Sequence, residues 1–234
     1  MALWASGPHS MRVKNCLQVF FRRRRRLRGR LQAPMRRPMA RSCKPFSANR
    51  SGFMLGEGGA SFVLESLEAA TARGATILAE LVGYGVSADA VHITKPDPQG
   101  QARAVKQALA DAGITPEAIA YVNAHGTATQ VGDIAETETL KLVFGEHAKR
   151  LAISSTKAIH GHTFGAAGAL ELLITVMAQR AGVAPPTAFL DEPDPSCDLD
   201  YVPNQPKDLE MPYAMSNSFA FGGANVALIT KYVE

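Results

Sequence analysis

Apolar positions along the chain alternate between two rhythms. A Gly-punctuated stretch at 51–60 leads into a Ser-Phe-Val-Leu strand pattern ending at Glu65, and 67–73 reads as a short helix. Positions 79–86 form another strand pattern, followed by a mobile, turn-rich loop at 87–100 containing Lys95-Pro96-Asp97-Pro98. Over 101–113, Ala102, Val105, Leu109 and Ala112 share one face of an amphipathic helix. Short apolar strands at 118–123 and 151–155 precede helices at 133–144 and 165–180, the latter rich in small residues. After a Pro-rich loop at 185–198, strands at 211–217 and 224–231 flank a Gly-rich turn. Strand and helix alternate throughout, which predicts an α/β fold with a sheet covered by helices.

Composition changes this picture in one place. The 234 residues are 46% hydrophobic and 20% charged, unlike a fully disordered, collagenous or disulfide-stapled chain. The net charge of +4 is a sum of two unlike parts: residues 1–50 carry 14 basic and no acidic side chains, and the rest carry 11 basic and 21 acidic. Five arginines at 22–26, with Arg28 and Arg30, have no acid nearby to pair with. Residues 1–43 therefore read as a disordered basic leader. A transit peptide, an anionic-membrane anchor or a polyanion-binding arm are the alternatives. Nothing there resembles a helix-turn-helix or zinc finger, so nucleic acid is not the expected partner. No apolar run reaches the length of a transmembrane segment. Cys16, Cys43 and Cys197 are scattered, which suggests a reducing compartment and no cysteine-ligated metal.

Three segments could carry chemistry. Tyr121-Val-Asn-Ala-His-Gly-Thr-Ala-Thr129 places an imidazole and two hydroxyls directly after an apolar strand, where α/β sheets bind ligands. His125 then reads as an acid/base or hydrogen-bond donor, or as the cap of a turn, and Thr127 and Thr129 as contacts to a polar ligand chain. In the second segment, residues 154–168, Lys157 reads either as a surface lysine or as a group held by Glu171 in a closed site. Its His160-Gly-His162 pair has no evident third metal ligand. The third, Asn217-Ser-Phe-Ala-Phe-Gly-Gly-Ala-Asn225, is a tight turn whose backbone N–H groups could also form an oxyanion hole. Together the segments suggest acyl chemistry with two histidines facing a carbonyl. Neither Cys43 nor Cys197 sits at a nucleophile elbow.

In order and spacing, KPFSANRSGFMLGEGG, SADAVHITKPDP, VNAHGTATQVGD, SSTKAIHGHTFGAAGALE, CDLDYVP and NSFAFGGAN resemble the C-terminal half of an elongating, type II β-ketoacyl-acyl-carrier-protein synthase. The resemblance runs from Cys43 to Lys231 and implies two units, a leader over 1–43 and a synthase half over 44–234. It implies the C-terminal half of the thiolase-like α/β fold, a mostly mixed central sheet flanked by helices. It implies that His125 and His162 bind a malonyl thioester carbonyl, promote decarboxylation and stabilise the enolate. Lys157 and Glu171 match the supporting network, and Thr127 and Thr129 the contacts to a phosphopantetheine arm. Phe219 matches the gate beside the acyl pocket. Ala220 and Ala224 stand where glycine and threonine are common, and Ala220 is expected to narrow gate mobility.

The implied activity is acyl transfer in fatty acid biosynthesis, in the cytoplasm, with no tightly bound cofactor beyond the phosphopantetheine arm as substrate carrier. The implied partners are acyl carrier protein and a homodimer mate, or a chain carrying the N-terminal half. The family's nucleophilic cysteine belongs to that first half, on a helix N-terminus that lowers its pKa. The arginine-rich segment stands in its place, so the chain is expected to be truncated, to lack the nucleophile and to expose a face normally buried. A non-catalytic partner resembling a chain-length factor is the alternative, weakened by retention of both histidines.

Overall fold

The computed structural model describes residues 15–19 and 42–234. Its strands are β1 (Asn15–Val19), β2 (Phe62–Ser66), β3 (Glu80–Ala88), β4 (Ile119–Asn123), β5 (Ala152–Ser154), β6 (Val183–Ala184), β7 (Lys207–Asp208), β8 (Tyr213–Phe219) and β9 (Ala224–Lys231). Its helices are α1 (Leu67–Ala72), α2 (Pro98–Ala112), α3 (Gln130–Phe144), α4 (Lys157–His160) and α5 (Ala167–Ala181). Local chemistry sets their limits. The Asp97 carboxylate caps α2 by accepting from the amides of Gln99 and Gly100, Pro98 opens it, and Gly113 ends it in the left-handed region. Thr129 caps α3 by accepting from Gly132 N, which starts that helix three residues before the apolar pattern does.

Seven strands form one sheet in the order β2-β1-β3-β9-β8-β4-β5, while β6 and β7 pair separately. The sheet is mixed: β4 runs parallel to β5 and β8, whereas β9 is antiparallel to both β8 and β3. Neighbouring residues on a strand divide between two apolar clusters. Val122, Ile153 and Met215 join α2 and α3 residues such as Val105, Leu109, Leu140 and Phe144. Tyr121, Ala152 and Ala214 join Ala178 of α5. Since successive side chains leave a strand on opposite faces, helices cover both sides of the sheet.

Within the segment expected to be largely disordered, Asn15–Val19 form β1, which pairs antiparallel with β2 and β3. A strand in that position satisfies the edge N–H and C=O groups of both neighbours, which outweighs a weak local pattern. The remaining leader expectations, the polyanion-binding arm among them, fall on residues outside those described. No described helix is long and apolar enough to cross a membrane.

α2 lies close on β3 because two strand glycines face it. A Cβ at Gly85 would fall on the carbonyl oxygen of Ala104, and one at Gly83 on that of Ala108. Gly85→Ala is therefore expected to destabilise the chain by about 1–3 kcal/mol through overpacking. Gly59→Ala, where an added Cβ meets nothing within 4 Å, should leave the urea midpoint unchanged. Equal midpoints for the two variants would contradict this packing.

Candidate active site

Strands β3, β4, β5 and β8 all point the same way, so their C-terminal ends share one edge of the sheet. The loops leaving that edge hold all three segments singled out by sequence. They surround a cavity of about 1020 Å³ whose lining includes His125, Thr127, Thr129, His162, Phe219 and Ala220. The two imidazoles meet edge to face, with ring centroids 5.5 Å apart at 83°.

Each histidine is fixed by its backbone as well as by its ring. The buried Glu136 carboxylate on α3 accepts from His125 N at 2.9 Å and Gly126 N at 2.8 Å, one oxygen for each amide. Lys157 Nζ donates to His125 O at 2.6 Å and forms a fully buried ion pair with Glu171 of α5. His162 exchanges backbone hydrogen bonds with the 54–56 segment, donating to Met54 O at 2.7 Å and accepting from Gly56 N at 3.0 Å. A Cβ at Gly56 would fall on the His160 carbonyl, so a glycine is required for that approach. Phe164 stacks on the His162 ring at 4.9 Å, and Phe53 meets its edge.

These contacts also set the tautomers. Phe164 N donates to His162 Nδ1 at 3.2 Å. Lys157 Nζ lies 3.5 Å from His125 Nδ1, and an ammonium has hydrogens only to donate. Both neutral rings therefore carry their proton on Nε2. Burial and the Lys157 charge hold both rings below the usual histidine value, His125 far below it and His162 at about 4. Burial pushes Glu171 up to about 7 against the pull of Lys157, and it also raises Glu136. At neutral pH the site thus presents two Nε2–H donors and no charged imidazole.

Thr127 Oγ1 and Thr129 Oγ1 lie 3.0 Å apart on the cavity wall. Phe219, the expected gate, is only 7% exposed and packs against His125. Phe221, two residues on, is 65% exposed at the same cavity, beside Gly222 and Gly223 with φ of 80° and 78°. Phe219 is therefore packed at this turn, whereas Phe221 is exposed. Ala220 closes this turn by donating its N–H to Ala224 O at 2.8 Å.

The same turn is tied to the loop expected to be mobile. Asp89 accepts from Asn225 Nδ2 at 2.6 Å and from Asp97 N at 2.9 Å, and Gly222 N donates to Ile93 O at 2.8 Å.

His160 lies outside this constellation: its ring contacts Thr156 Oγ1 and Gly161 O, a local cap. Among the described residues no three His, Cys, Asp or Glu side chains gather as a metal-ligand set. Cys43 and Cys197 are buried and do not line the cavity, and burial raises both thiols, Cys197 to about 11. Sequence reasoning missed Glu136, and a signal for it existed. Asp133, Glu136, Thr137 and Leu140 occupy one helical face, so two acids stand where core residues belong.

Residues 78–191 match the family described as Beta-ketoacyl synthase, C-terminal domain. The chain is 55% identical over 192 residues to nodulation protein E of Rhizobium meliloti, covering 82% of this chain and 48% of that protein. It is 50% identical over 195 residues to 3-oxoacyl-[acyl-carrier-protein] synthase 2 of Staphylococcus aureus (strain COL), covering 82% and 47%. Among solved structures it resembles a type II PKS acyl-carrier protein in complex with its ketosynthase bound to the hexaketide. That likeness has a TM-score of 0.81 and 38% identity over 84% of this chain and 48% of that one. The chain spans about half the length of the curated relatives it matches.

The depressed imidazoles have a measurable consequence. Each binds a proton more readily in the unfolded chain, so the stability they contribute is present above pH 6.5. It is lost as pH falls through the folded values, about 4 for His162. NMR titration should show both rings neutral, in the Nε2–H form, at pH 7. Lys157→Met should move both midpoints up toward 6.5 without reaching it, because burial remains the larger cause. Unmoved midpoints in a folded variant would refute this electrostatic assignment.

Proposed function

The chain belongs to the β-ketoacyl synthase family through its C-terminal half, and we propose that it supplies the decarboxylating side of a carbon–carbon condensation. The observation that carries this reading is the pair of adjacent imidazoles lining one cavity, each with its Nδ1 facing a donor and its Nε2 left to carry the proton. In a malonyl thioester bound there, the bond between Cα and the carboxylate breaks and carbon dioxide leaves. The electron pair moves into an enolate whose oxygen accepts from Nε2–H of His125 and His162. Preorganised donors aimed at developing charge lower such a barrier without moving a proton first. The Thr127 and Thr129 hydroxyls hold the phosphopantetheine arm of an acyl carrier protein, and Lys157, Glu171 and Glu136 keep the imidazoles in place. Phe221 and the 220–223 turn gate the acyl pocket.

The enolate carbon then attacks an acyl thioester, forming the new bond as a thiolate leaves, in the elongation of acyl chains for fatty acid biosynthesis. The Cys43 and Cys197 thiols are buried and raised, which makes them poor sources of that thiolate. We assign it to another polypeptide segment, and the same observation favours a non-catalytic partner subunit as the second reading.

Release of carbon dioxide from malonyl-pantetheine separates the two readings. His125→Ala and His162→Ala should each slow it by about 10²–10³-fold, the effect of removing one oxyanion donor. A rate unchanged by removing both imidazoles would leave only the partner-subunit reading. The 234-residue chain alone is expected to show no cerulenin-sensitive condensation, and detectable condensation would overturn the assignment of the thiolate to another segment.

A further inference from the structure

Arg50 is almost fully buried, yet it lines no part of the cavity and joins neither imidazole. Its guanidinium reaches across 79 residues of sequence to the start of α3. Nε donates to Thr129 O at 3.1 Å and Nη2 to Gln130 O at 2.8 Å. Two residues on, Gly52 N donates to Ala128 O at 2.9 Å. Three successive carbonyls, those of Ala128, Thr129 and Gln130, are thus gripped from one short segment. Nη1 donates to Ser47 O at 2.8 Å and pairs with Asp194, and Nε lies 3.7 Å from Asp133 Oδ2.

Two features show what the grip holds. Ala128 has φ of 64°, a left-handed conformation that is strained for a non-glycine residue and persists only when its surroundings impose it. The guanidinium also sits at the positive end of a helix, where the macrodipole favours an anion. A cation there gains nothing from the dipole and has to be neutralised by Asp133 and Asp194. Its fixed planar fork, which can reach two adjacent carbonyls at once, is what the position uses.

We propose that Arg50 is a positioning residue: a clamp that holds the strained 128–130 turn so that the Thr127 and Thr129 hydroxyls stay aligned on the cavity wall. The part that concerns ligand binding rests on the function proposed above; the part that concerns the turn does not. Asp133, whose carboxylate also accepts from Phe46 N at 2.7 Å, anchors the clamp from the helix side.

The test uses the 234-residue chain with Arg50→Ala and Arg50→Lys. Amide NMR signals of residues 128–130 are followed together with thermal melting, and pantetheine is titrated as the probe. Arg50→Ala should melt cooperatively, displace those amide signals and weaken pantetheine binding about tenfold. Arg50→Lys, with one ammonium for two carbonyls, should fall between. Guanidinium at tens of millimolar should restore Arg50→Ala and leave the parent chain unchanged.

Wild-type signals at 128–130 in a folded Arg50→Ala chain would overturn the clamp. If that variant does not fold, the same result in Arg50→Lys would do so. Displaced signals that guanidinium fails to restore would also count against it, indicating general collapse. If the parent chain binds no pantetheine while the variant's signals are displaced and rescued, the clamp stands and the functional reading falls.

Discussion

The buried ion pair between Lys157 and Glu171 is the contact on which the rest of the site depends. Taking two charges out of water is costly, and only good geometry with further hydrogen bonds offsets it. Here the ammonium finds its additional acceptor in the His125 carbonyl, so the pair binds three pieces of chain: the turn after β5, helix α5 and the turn after β4. One charge also explains the state of both imidazoles. Lys157 lies close enough to oppose their protonation, and it forces the His125 proton to the far nitrogen.

A second layer surrounds that pair. Glu136 fixes the His125 amide from below, the 54–56 segment fixes His162 by backbone pairing, and Arg50 and Gly52 grip the turn between them and α3. Much of this layer comes from residues 46–56, which form no element of the main sheet. The segment acts as a strap across the edge where the strands end. Its short-range texture, with glycines among polar residues, fits backbone contacts better than core packing.

The sequence made the framework readable because strands and helices alternate with the correct periods, and strand β9 matches the apolar pattern over 224–231 to the residue. The three chemical segments were readable for the same reason: each follows an apolar strand, and parallel strands bring their ends together. Lys157 and Glu171 could be paired on paper as a possibility, but their burial could not be. Glu136 announced itself only as an acid on the apolar face of its helix, and Arg50 not at all, since a charge in a loop ordinarily reads as solvated surface. Phe219 and Phe221 look equivalent in a string of letters, and only the end of β8 shows which is packed and which hangs free. β1 escaped because five residues carry little periodicity of their own.

The shared edge of β4, β5 and β8 has a consequence for how errors in folding would be felt. In β4, Tyr121 serves one apolar cluster and Val122 the other. A slip of one residue would exchange the two clusters and turn the chain leaving the strand by half a pleat. His125 would then point away from His162. Strand pairing and chemical competence are measured by the same ruler in this fold: a molecule that aligns its imidazoles has, by doing so, proofread its sheet.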